Sequence, residues 1–262
     1  MATAKNRIRR KITALILCCV AVISVFSGCN GCFGGKVDPD DYNTVVKPTE
    51  TTEPLATEAT SDEPLAVNPI NFKELTGMNP DLYAWIRIPN TAIDYPVAQS
   101  LSGDDNYYLH HNYLGNYEFA GTIYSQRHNT RYFIDRVTVL YGHNMLNGTM
   151  FANLHKFSDK DFFDKNEYIY IYLDKHILTY RIFAAYEYDD RHILNSFEFH
   201  DDAVYSQYLK DCLNPHSSNS NVREGVELTT DDKIITLSTC TNYNSSMRYL
   251  VQGVLIKDEL TQ

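Results

Sequence analysis

Cysteine is nearly absent from most of the chain. Of six in 262 residues, Cys18 and Cys19 lie within an apolar run and Cys29 and Cys32 at its outer edge, leaving Cys212 and Cys240 for everything beyond. Two cysteines exclude a disulfide scaffold, and a domain of roughly 190 residues builds its own core. The C-x-x-C of residues 29–32 lacks the strand–helix–strand surroundings of a thiol redox motif. No internal repeat is present, which excludes a solenoid or propeller. Net positive charge is lacking as well: the chain carries −10, a poor match for nucleic acid or anionic lipid. The nearest approach to a metal set, His110 and His111 with His128, fits no helix or finger spacing, so no metal or cofactor is expected.

Acidic residues are missing from residues 1–11, "MATAKNRIRRK", a basic flank expected to remain in the cytosol. The apolar segment that follows, residues 12–29, has the pattern of an export signal and places the rest on the extracytoplasmic face of a membrane. Two anchoring modes stay open: an uncleaved signal anchor, or lipidation at Cys29, where "FSGC" is similar to a bacterial lipobox. A secreted form is the third. Residues 30–68 are rich in Thr, Glu, Asp and Pro and poor in large apolar side chains, the composition of a disordered tether. Residues 69–262 form the expected folded domain.

In that domain, Asn71 is an N-cap candidate for a short helix from Phe72. "LYAWIRIP", "AIDYPVAQS" (Pro96 on an edge or at a bulge), "AGTIYSQ" and "DRVTVLYGHN" are expected strands. "GTMFANLHKF" is an expected short helix. "EYIYIYLDKHILTYRIFAAYEYD" alternates about a turn near Asp174–Lys175, which predicts a hairpin. A helix is expected over residues 201–213, with Val204, Tyr208 and Cys212 on one face. "DKIITLSTCTNYNSSMRYLVQGVLI" predicts the last hairpin. Seven or eight strands with few helices make the domain mostly β, a barrel or a sandwich.

Cys240 ends one strand, Arg248 begins the next, and His143 follows a third. Each has an ordinary explanation. Cys240 is a packed strand residue, a partner for Cys212, or a nucleophile; His143 is a turn residue capping a carbonyl; Arg248 is a strand-surface charge. If the three strand ends converge on one barrel rim, they make a thiol site. The thiolate attacks a carbonyl, the imidazolium protonates a departing amine, and the guanidinium steadies an oxyanion.

"TLSTC" followed by "RYLVQG" resembles the signature of sortases, membrane-tethered cysteine transpeptidases of Gram-positive bacteria. "VLYGHNMLNGTMFANLHKF", "YAWIRIPNTAIDYPVAQS" and "DNYYLHHNY" resemble their class B branch, and the similarity spans residues 71–256. It implies an eight-stranded β-barrel with added helices, and a catalytic set of Cys240 as nucleophile, His143 as acid–base and Arg248. It further implies substrate contacts by Ser238, Thr239 and Leu109. The implied substrates are secreted proteins bearing a C-terminal sorting signal, cleaved at a threonyl carbonyl through a thioacyl-enzyme. The implied acceptor is an amine of peptidoglycan or its lipid-linked precursor. Two features depart from the family pattern: the connection from Cys240 to Arg248 is about two residues short, and "FSGC" is atypical. A hydrolytic peptidase on the same fold and a non-catalytic surface lipoprotein module are the alternative functions.

Overall fold

The computed structural model describes residues 65–244 and 246–262. The basic flank, the segment holding Cys29 and nearly all of the expected tether lie outside the described residues. Among the described residues, no helix is long and apolar enough to cross a membrane.

Among the described residues there are nine strands, most of them built from alternating apolar residues: β1 (Leu82–Arg87), β2 (Asp94–Ala98), β3 (Ile123–Tyr124), β4 (Val137–Tyr141), β5 (Tyr168–Tyr172), β6 (His176–Asp189), β7 (Ser220–Val222), β8 (Ile234–Cys240) and β9 (Met247–Leu260). Their hydrogen-bonded order is β5-β1-β2-β3-β4-β8-β9-β6-β7, and β5 also pairs with β6. That extra pairing closes eight strands into the expected barrel. β7 is a ninth strand outside the ring, held on β6 through Ala184↔Val222 to Tyr186↔Ser220. The chain turns between β5 and β6 at Asp174–Lys175, where Leu173 and His176 exchange backbone hydrogen bonds. Pro96 sits on β2 just before that strand begins to pair with β3 at Val97, so its missing N–H costs no rung on that side.

Among the described residues, four α-helices decorate the barrel: α1 (Phe72–Met78), α2 (Lys160–Lys165), α3 (Ile193–Ser196) and α4 (Asp202–Leu213). Asn71 caps α1 as expected, its side chain accepting from the Glu74 N–H at 3.2 Å. The segment expected as a short helix near "GTMFANLHKF" is a 3₁₀ helix over Phe151–Ser158, which buries Phe151, Leu154 and Phe157.

The core forms three clusters, and strand alternation puts two of them on opposite sides of β4, β8 and β9. Leu140, Ile235, Leu237, Tyr249 and Val251 fill the barrel interior with Ile169, Ile171, Tyr180 and Phe151. Val137, Val139, Ile234 and Leu250 face outward under α4, packing against Tyr205, Tyr208, Leu209 and Cys212. On α4, Val204 is only half-buried, while Tyr205 and Leu209 join Tyr208 and Cys212 inside. Burying a Leu of this kind contributes on the order of 2 kcal/mol. β8 is therefore covered on both faces until its last residue. β4 lacks a long β3 partner, since only Tyr124↔Tyr141 pair there. The Asn129 side chain completes its edge, donating to Val137 O at 2.7 Å and accepting from Val139 N–H at 3.0 Å.

Candidate active site

β4 and β8 run parallel, with Tyr141 opposite Ser238. His143 and Cys240 each lie two residues further along, so the register carries them to the same level on neighbouring strands. Gly142 N–H donates to Ser238 O at 3.2 Å, and Thr239 Oγ1 donates to Gly142 O at 2.8 Å, which holds the two ends together after β4 has stopped. On the other side, β8 and β9 are antiparallel and Cys240 faces Arg248 directly. The short connection between them is thus no obstacle, because they are cross-strand partners. Gly142 allows the close fit: a Cβ there would meet Ile123 Cδ1 at 2.5 Å and the Phe151 ring at 2.8 Å.

His143, Cys240 and Arg248 line one groove of about 370 Å³, together with Tyr141, Ser238, Leu250 and the 189–193 segment. Residues 238 and 240 share the face of Ile234, and Arg248 that of Leu250. The groove therefore lies on the outer face of the barrel wall, beyond the end of α4. This corrects the expectation of a barrel rim: the strand ends converge, but on the outside surface. The cause is the two-residue period of β4, β8 and β9, which directs these side chains away from the filled interior.

The imidazole of His143 is half-buried and held on several sides. Its Nε2 lies 2.9 Å from Leu109 O. A carbonyl oxygen only accepts, so Nε2 carries a hydrogen, and in the neutral ring Nδ1 holds the lone pair. His110 and Phe119 lie nearly parallel to it at centroid distances of 5.4 and 5.2 Å. Burial pulls the His143 pKa below the ordinary histidine value; the Leu109 carbonyl opposes this and nearby His110 adds to it. Neutral imidazole is the favoured resting form.

Leu109 lines the groove, and its carbonyl also orients His143. Ser238 and Thr239 border the groove too, but both are buried and the Thr239 hydroxyl is engaged on Gly142. Arg248 Nη1 donates to Met247 O at 3.0 Å. Sequence reasoning missed the opposite wall. There His192, the N-cap of α3, lies with Nε2 2.5 Å from Gln126 Oε1, and Gln126 Nε2 donates to Asn106 Oδ1 at 3.0 Å. His128 packs against His192 at 5.0 Å, and His111 stacks on Tyr107 at 3.8 Å. Among the described residues, no group of three or more His, Cys, Asp or Glu side chains is arranged to hold a metal ion.

The two cysteines of the domain are both free and occupy opposite environments. Cys240 is exposed. Cys212 is 1% exposed, on the buried face of α4, and burial pushes its thiol up to about 11, against hydrogen bonds from Tyr186, Gln252 and Tyr208. Alkylation with iodoacetamide at pH 8 followed by peptide mapping is expected to modify Cys240 and leave Cys212 untouched in the folded protein. Equal labelling of the two would contradict this placement.

A family model for the sortase domain matches residues 86–256. Sortase B of Listeria monocytogenes is 36% identical over 188 residues, covering 71% of this chain and 74% of that protein. The structure of Clostridium perfringens sortase B matches with a TM-score of 0.64 at 33% identity, over 71% of this chain and 100% of that one. A Staphylococcus aureus sortase B–substrate complex matches with a TM-score of 0.62 at 27% identity, over 71% of this chain and 84% of that one. With a closed eight-stranded barrel and matches of this extent, the chain belongs to the sortase family of cysteine transpeptidases, in its class B branch.

Proposed function

We propose that this sortase acts at the outer face of a membrane to which its N-terminal segment anchors it. There it cleaves a C-terminal sorting signal of secreted proteins and joins them to a cell-wall amine. The observation that carries this reading is the single groove lined by Cys240, His143 and Arg248 from three adjacent strands.

In the first step the Cys240 thiolate adds to the scissile carbonyl of the signal peptide, and Arg248 stabilises the oxyanion. Collapse breaks the C–N bond. The imidazolium of His143 gives its proton to the departing amine, leaving a thioester. In the second step an incoming amine attacks the thioester, His143 takes its proton, and the thiolate leaves as the new amide forms. Nδ1 is the nitrogen suited to this exchange, because Nε2–H is committed to Leu109 O. Ser238, Thr239 and Leu109 border the bound peptide, and the Asn106–Gln126–His192 chain forms its far wall.

A peptide-library cleavage screen, with and without excess hydroxylamine, tests the reading. The expected result is cleavage of a restricted signal sequence, with the amine adduct replacing the free acid when hydroxylamine is present. Free acid alone, even in excess amine, would instead identify a hydrolase.

Arg248 permits a second check. Arg248→Ala is expected to lower kcat by about 10²–10³-fold, the usual effect of losing an oxyanion donor. Arg248→Lys should recover little, because an ammonium lacks the planar fork of the guanidinium. Steady-state kinetics with the selected peptide measure both.

A further inference from the structure

Cys240 has an oxygen as well as a sulfur, and the surroundings of that oxygen are unusual. Thr241 N–H donates to Met247 O at 3.4 Å, so residue 240 occupies a position of the β8–β9 ladder whose own N–H and C=O point away from β9. They point toward β4. In that parallel pair, Gly142 N–H already donates to Ser238 O. The next rung would run from residue 144 to Cys240 O, but β4 has ended. Side chains supply the rung instead. Asn144 Nδ2 lies 3.0 Å from Cys240 O, and His155 Nε2 lies 3.0 Å from the same oxygen.

The hydrogen assignments follow from the partners. Asn144 Nδ2 also lies 2.7 Å from Asn242 Oδ1, so its two hydrogens go to Cys240 O and Asn242 Oδ1. Cys240 O only accepts, so His155 Nε2 carries a hydrogen directed to it. The 3.1 Å approach of Asn144 to His155 is then two donors meeting over one acceptor. His155 is itself well seated. The 3₁₀ helix that carries it is anchored by Phe151, Leu154 and Phe157, and its ring packs 4.8 Å from that of buried Tyr249.

We propose that Asn144 and His155 are positioning residues for the nucleophile. Converging on the Cys240 carbonyl oxygen, they lock the Cys240 peptide, the turn through Asn242 and the His143 loop into one body. Asn144 is the immediate neighbour of His143, so the hydrogen bond that fixes the backbone of the thiol also fixes that of the imidazole. Neither side chain meets the substrate. Both act through Cys240 and His143, and the inference rests on the reading of Cys240 as the nucleophile. Loss of either donor frees the thiol to wander from its partner by a fraction of an ångström or more, and misplacement of about 1 Å costs on the order of 10²-fold in rate.

The test is steady-state kinetics of the purified protein with the library-selected peptide and hydroxylamine, alongside melting temperatures. Asn144→Ala and His155→Ala are each expected to lower kcat by about tenfold or more while KM and melting temperature hold. His155→Gln, whose side-chain amide offers a donor to the same oxygen, is expected to recover most of the loss. Unchanged kcat in both alanine variants, beside an inactive Cys240→Ala control, would overturn the proposal and leave the nucleophile standing. A loss of kcat that tracks a fall in melting temperature, or that His155→Gln fails to restore, would also overturn it. An active Cys240→Ala enzyme would remove the reading beneath it.

Discussion

Replacement of Cys240 by alanine is expected to abolish cleavage of the sorting-signal peptide, by at least about 10⁴-fold, while leaving the protein as stable as before. The two halves of this expectation have separate causes. Cys240 is exposed at the last position of β8, and the hydrogen bonds from Asn144 and His155 go to its backbone oxygen. Removing Sγ opens no cavity, so the melting temperature should not move. The chemistry has no substitute: no other described cysteine is accessible, and Cys212 is on the buried face of α4. Cleavage followed by mass spectrometry, with a thermal melt of each protein, measures both halves. Persistent cleavage by the alanine variant would show that another group attacks the peptide.

The second large effect is at His143. His143→Ala is expected to cost about 10²–10⁴-fold, the range of a positioned acid–base group. The pH profile is the more specific check. Burial disfavours the imidazolium, and the positive charge His110 can carry acts in the same direction, so the His143 pKa lies below its ordinary value of about 6.5. The working enzyme holds one proton between thiol and imidazole. As pH falls through the His143 value, a second proton enters, both groups become protonated and the nucleophile is lost. kcat/KM is therefore expected to fall about tenfold per pH unit on the acid side, with its bend below about 6.5. His110→Ala removes that electrostatic neighbour and admits water to the ring. Both effects favour the imidazolium, so the bend should move to higher pH. A bend above 6.5 in the wild type, or one that His110→Ala shifts downward, would contradict this account of His143.

Much of the fold was legible where neighbours along the chain decide structure. The alternation of "YIYIY" and "HILTY" about Asp174–Lys175 produced the β5–β6 hairpin, and the Asn71 cap and the span of α4 followed from local chemistry. The short segment "SNV" gave no such signal. It becomes β7 only because β6, past the end of β5 and paired with β9 on its other side, presents a free edge beside it. Similarly, "HKF" and "GHN" carried no mark that His155 and Asn144 would meet at Cys240. Those residues stand 85 and 96 positions from it in the chain. The wall built from Asn106, Gln126 and His192 was invisible for the same reason.

The sequence by itself determined the kinds of chemistry available: a single strand-end thiol in the last hairpin, an imidazole after another strand, a guanidinium opening the next, and the motif likeness that joins them. It also determined which segments alternate and where they turn. Tertiary structure alone decided that the ring closes at eight strands through the β5–β6 pairing. It also decided that Cys240 and Arg248 are cross-strand partners, and that the groove opens on the outer wall rather than at the rim. The physical reason is register. Residue type and periodicity are local properties of the chain, whereas the level at which β4, β8 and β9 meet is set by hydrogen bonds and packing between segments roughly 100 residues apart, and a slip of one residue would turn every one of these side chains to the opposite face.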